Sequence, residues 1–245
     1  MGGDSKNEAS IDGSVSTDDG AKLMRIFDAS LVSAGKLVTT RVDRLRERHP
    51  RATNAQLVKK LNTTYMSSVT ATGAASGAAA AVPGAGTAAM IATVGADTSW
   101  FLTASITHVL SVLRVHGIRI NDLEHQKAVV LTVLAGGNGS LFAGKAAGRT
   151  APHLGKLLAN AVPATTLRQI NRVLGVNFVT KWGTKQGILV IGRAAPFGIG
   201  AALGAGGNAL MATAVVKATN KAVSVALADC APDDDLYDDL SIVSQ

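Results

Sequence analysis

The chain has 245 residues, 47% of them apolar but only 4% aromatic, which supplies a helical core and excludes a sandwich or barrel built on aromatic and β-branched strands. A single cysteine, Cys230, rules out an internal disulfide framework. The first twenty residues are polar and acidic, with no secretory signal, so a cytoplasmic location is expected. The net charge of +7 is segregated: residues 1–20 hold five acids against one base and residues 229–245 hold six acids and no base, which leaves the intervening core at +17. Such a core attracts anionic partners, lipid headgroups or nucleic acid, unless its bases merely solvate an apolar bundle.

Residues 1–20 lack apolar periodicity and read as a disordered acidic tail. From Ala21 to Arg48, apolar positions at Leu23, Ile26, Phe27, Leu31, Val38, Val42 and Leu45 predict an amphipathic helix. Its last two turns carry Arg41, Arg44, Arg46 and Arg48, as the helix dipole prefers, and Pro50 stops it. Thr53 with Gln56 three residues on forms a capping box for a second helix through Leu57, Leu61 and Tyr65. Two basic helices around a turn resemble a helix-turn-helix, but nothing reproduces a base-contacting set, and no specific nucleic acid partner is expected.

Residues 61–96 contain no charge. Gly73 and Gly77 are four apart, Pro83, Gly84 and Gly86 break the run, and an apolar helix resumes to Gly117. Asn121 with Glu124 predicts the start of a further helix that ends at Gly136-Gly137. After Pro163 a short helix over Thr165–Leu174 is expected to end at Gly175. A helix end near Arg193, the corner at Pro196 and Gly198, and the stacked pair Gly200 and Gly204 predict a second small-residue hairpin, with the next helix beginning around Pro196 or Phe197. The two Gly/Ala-rich runs are long enough to cross a bilayer yet poor in Leu, Ile and Phe, so they read either as buried core hairpins or as hairpins that dip into a membrane.

No histidine has Cys or carboxylate at metal-ligand spacing, no serine sits in a nucleophile elbow, and GGNGSLFAGK lacks the phosphate-loop spacing. No catalytic residue, cofactor or metal is therefore assigned. Asp97, the one acid between Glu47 and Asp122, is expected to form a salt bridge, with Arg193 as its partner, or to be a proton or ion site. Lys181 and Asn208 join them as candidate polar residues.

The blocks Asn171-x-x-x-Gly175, Thr180-Lys181-Trp182-Gly183 and Ile191-Gly192-Arg193-x-x-Pro196-x-Gly198-x-Gly200-x-x-x-Gly204-x-x-x-Asn208, with GAAAAVPGAGT upstream, resemble the EcsC family of bacterial proteins over roughly Leu57 to Leu227. The resemblance implies proximity to ABC-exporter components. It carries over no catalytic residue, and the chain departs from it at Asn208, where family members often have an acid. The expectation is an all-α single helical domain over residues 21–228, of roughly eight helices around the two Pro-Gly hairpins. The expected function is that of a non-enzymatic accessory protein binding anionic lipid or a membrane transport system, peripheral on the inner face of the cell membrane. A soluble scaffold and a hydrolase with an unrecognised site are the alternatives. The tail 229–245 mixes acids with Leu236, Tyr237, Leu240, Ile242 and Val243, and reads as a clasp on the basic core or as a solubilising appendage.

Overall fold

Helix boundaries in this chain are set by side chains that satisfy the amides and carbonyls a helix leaves open at its ends. A computed structural model describes residues 17–80, 87–120, 122–136, 163–193 and 199–229. Of these, 91% are helical and none is in a strand. The six helices are α1 (Thr17–Arg48), α2 (Asn54–Ala80), α3 (Thr87–Val115), α4 (Leu123–Gly136), α5 (Ala164–Arg193) and α6 (Ile199–Asp229). The chain is an all-α domain, with six helices among the described residues where roughly eight were expected. The corners at Pro83, Gly84 and Gly86 and at Pro196 and Gly198 lie outside the described residues, while Gly200 and Gly204 fall within α6.

The capping box before α2 is formed: the Thr53 amide donates to Gln56 Oε1 at 2.9 Å and the Gln56 amide to Thr53 Oγ1 at 3.3 Å. At the start of α4 the cap is one residue later than expected. Asp122 accepts the His125 amide through Oδ2 at 2.9 Å, while Asn121, the expected cap, lies outside the described residues. α3 ends in a Schellman turn, with Gly117 at φ 83°, its amide bonded to Arg114 O and the Ile118 amide to Leu113 O, both at 3.0 Å. Arg46 reaches across from α1 and donates to Val115 O at 2.9 Å, closing another terminal carbonyl of α3.

Two expected boundaries are corrected. α1 begins at Thr17, four residues inside the stretch read as tail. Gly175 does not end a helix; α5 passes through it to Arg193. A glycine inside a helix costs only about 1 kcal/mol. α1 packs against this point of α5, where a Cβ would make ordinary contact, 3.4 Å from the Met24 terminal methyl. The same approach brings the Phe27 and Phe178 rings edge to face, with centroids 5.5 Å apart.

α3 is the central element. Between Phe101 and Val115 nearly every side chain is buried, as expected of a helix apolar on all sides. α1 lies parallel to it: Ser30 Oγ bonds Ser99 O, and Asp43 pairs with Arg114 one half-helix further along. α2 runs antiparallel, with the Tyr65 hydroxyl 2.7 Å from Ser105 Oγ and Ser76 Oγ donating to Asp97 Oδ1 at 3.3 Å. The most extensive pairing joins α2 to α6, also antiparallel, as Met66 meets Thr213 and Val69 meets Asn208. Gly73 and Gly77 are buried on the stretch of α2 that this register directs toward the N-terminal turns of α6, as close packing of small residues requires. α4 packs chiefly on α5, and an ion pair of 2.6 Å from Lys127 to Asp28 ties α4 to α1.

A base-rimmed groove as the candidate functional site

α1 and α2 are consecutive and joined by a tight turn, yet above that turn they hardly touch each other; both rest on α3. The gap between them is a groove of about 510 Å³ floored by the Trp100–Thr107 face of α3. At its turn end stand Arg44, Arg48 and Lys60, all exposed, with Arg41 half-buried above Leu61 and Tyr65. Its other end is apolar, with Leu37 52% and Trp100 38% exposed beside Ala104. Among the described residues, no acid lines the groove.

Among the described residues, none of these four bases is in an ion pair. For Arg41 this is costly, because its guanidinium is partly withdrawn from water and burial pulls its pKa below the ordinary arginine value. A second basic depression of about 890 Å³, around Arg51 and Lys59, continues from Arg48 and Lys60 across the turn. The α1–α2 corner is thus predominantly basic, with Glu47 of the last turn of α1 outside both depressions.

Behind the groove wall, His108 is fully buried and stacked on Tyr65, with ring centroids 4.4 Å apart and planes 12° from parallel. Among the described residues, neither ring nitrogen has a hydrogen-bond partner. Burial, then the Arg41 charge, push the imidazole pKa down to about 3, so the ring is neutral at physiological pH. Burial raises the Tyr65 phenol well above its usual range. The Tyr65 hydroxyl is bonded to Ser105 Oγ, and among the described residues neither ring is in a hydrogen bond or ion pair with an acid.

The expected polar residues lie elsewhere. Asp97 is 8% exposed on α3 and accepts from Ser76; Asn208 is 3% exposed and its Nδ2 donates to Val69 O at 3.2 Å. Both fasten helices to α2. Asn171 is held against α4, its Nδ2 donating to Glu124 O at 3.1 Å and to Glu124 Oε2 at 2.7 Å. Lys181 and Arg193 are on α5, with side chains outside the described residues, as is the expected Asp97–Arg193 pair. None of the three described residues lines the groove. The groove residues were visible in the sequence as two clusters of bases flanking a Pro-containing turn, but the α1 cluster was assigned to the helix dipole, a local explanation that hid their convergence on α2.

Among the described residues, no group of His, Cys, Asp and Glu side chains is arranged to hold a metal ion. Among the described residues one segment, Ala205–Leu227 of α6, is long and apolar enough to cross a membrane, and 33% of its most apolar window is buried in the bundle. No family model, curated protein or solved structure matches this chain.

Proposed function

We propose that the protein is a non-enzymatic, membrane-associated accessory protein that binds anionic lipid headgroups through the α1–α2 corner. The observation that carries this reading is the set of bases Arg41, Arg44, Arg48 and Lys60, without an ion pair among the described residues, opening beside the exposed apolar side chains Leu37 and Trp100. Clustered bases are drawn to an anionic leaflet by about 1 kcal/mol each, and flanking apolar groups add contact with the acyl boundary. The EcsC resemblance adds ABC-exporter components as a partner class and the inner face of the cell membrane as the location.

Vesicle flotation tests this reading. The protein should rise with phosphatidylglycerol-containing vesicles at low salt, remain behind with neutral phosphatidylcholine vesicles, and be released as salt shortens the Debye length. Recovery wholly in the soluble fraction with anionic vesicles at low salt would remove the reading and leave a soluble helical scaffold.

A further inference from the structure

The groove is polarised along its length as well as charged. From Leu37 to Arg48 it follows α1 for about 16 Å, at 1.5 Å per residue. Over this distance it changes from exposed apolar side chains to exposed bases. Its size falls within the range of small-molecule sites. Two features narrow the ligand.

The first is Arg41. A half-buried guanidinium with no carboxylate partner in the described structure is a charge awaiting an anion, and its planar fork matches phosphate oxygens. The second is the floor. The hydroxyls of Thr64, Thr103 and Thr107 donate to the carbonyls of Lys60, Ser99 and Thr103, at 2.9, 2.9 and 2.6 Å. Their protons are engaged within their own helices, so the α3 floor between Thr103 and Thr107 has few donors for a sugar or a nucleobase, and the hydroxyls of Thr40 and Ser68 stand on the α1 and α2 walls.

We infer that the groove seats one single-chain phosphate amphiphile, with its phosphate held by Arg41, Arg44 and Lys60 and its acyl chain lying over Ala104 toward Trp100 and Leu37. This rests on the lipid-binding reading above in taking a lipid as the ligand, and goes beyond it in requiring that a lipid monomer bind without a bilayer. The charge pattern fixes the orientation: reversed, the chain would lie among the guanidinium groups and the phosphate against Trp100.

The test uses full-length protein carrying Trp182→Phe, so that Trp100 is the remaining tryptophan, titrated with 1-oleoyl lysophosphatidic acid below its micellar concentration. The expected result is a saturable one-to-one blue shift of Trp100 emission and protection from acrylamide quenching. Glycerol 3-phosphate and monooleoylglycerol, the head and the chain alone, should each bind at least tenfold more weakly. Arg41→Met should weaken lysophosphatidic acid binding at least tenfold, while Arg41→Lys, which keeps the charge, should lose only a few-fold; circular dichroism establishes that both are folded. Binding unchanged in a folded Arg41→Met variant, or glycerol 3-phosphate binding as tightly as the lipid with Trp100 undisturbed, would overturn the proposal. If the same protein floats with anionic vesicles yet shows no saturable monomer binding, the groove proposal falls and the membrane reading survives. If it does neither, both fall.

Discussion

His108 and Tyr65 form the wall between groove and core, and their chemistry sets a pH dependence. An exposed imidazole titrates near 6.5, but the buried one is held down to about 3 by desolvation and by the Arg41 charge. Below pH 6.5 the unfolded chain binds a proton that the folded chain refuses until about pH 3. The contribution is therefore intact above pH 6.5 and is lost as pH falls from 6.5 toward 3, with a slope of up to about 1.4 kcal/mol per pH unit. His116, lowered by partial burial, acts in the same sense. Asp122 does so at more acid pH, because the His125 amide holds its carboxyl below the usual range. His108→Phe keeps the ring stack and removes two unpartnered nitrogens, so urea denaturation should show equal or greater stability at pH 7 and a flatter decline between pH 6.5 and 4. A decline as steep as the wild type's would show that His108 is not its source. None of this was legible in the sequence, where His108 was one of five histidines without a ligand pattern. Its burial depends on α1 and α2 closing over α3, which no local pattern encodes.

At the scale of the elements, periodicity and caps were readable because they are local. Thr53 with Gln56 specified the start of α2, Gly117 the end of α3, and the apolar positions of α1 its buried face. One misread boundary turned on a contact with a distant element, and another on two adjacent residues whose sequence offers the same capping chemistry. Gly175 looks like a stop until Met24 of α1 is placed against it, and Asn121 looks like a cap until Asp122 is seen to hold the amide. These accounts make opposite predictions for two glycines. Gly206 lies within α6 with nothing inside 4 Å of a built Cβ, so Gly206→Ala should raise stability by about 0.8–1 kcal/mol through helix propensity. Gly117 sits at φ 83°, where an L residue is strained, so Gly117→Ala should lower stability by about 1 kcal/mol although its Cβ would meet no atom. Denaturant midpoints for the pair give the comparison; effects of the same sign would contradict the Schellman assignment.

Across the whole molecule, the all-α class followed from composition and periodicity, whereas the placement of charge did not. The sequence showed a basic core between acidic ends; the fold collects a large share of those bases at one corner, because the turn at Pro50 folds the end of α1 against the start of α2. α6 runs antiparallel to α2, so Asp229 arrives at the same end of the bundle, and the acidic segment 230–245 that follows lies outside the described residues. Deleting residues 231–245 should strengthen binding to anionic vesicles at low salt. If the segment docks on the corner, the gain will persist once long-range charge is screened; convergence of truncated and full-length protein at high salt would reduce it to a solvated appendage.

The central claim is that lipid is met at one place and not by net positive charge at large. Flotation of two triple variants of full-length protein, each lacking three positive charges, tests it most directly: Arg44→Gln, Arg48→Gln and Lys60→Gln at the groove, against Arg168→Gln, Arg172→Gln and Lys217→Gln, exposed positions on α5 and α6. The groove variant should lose most of its association with phosphatidylglycerol-containing vesicles at low salt, while the other floats like the wild type. Equal loss in both variants would contradict the account and leave the attraction to bulk charge alone.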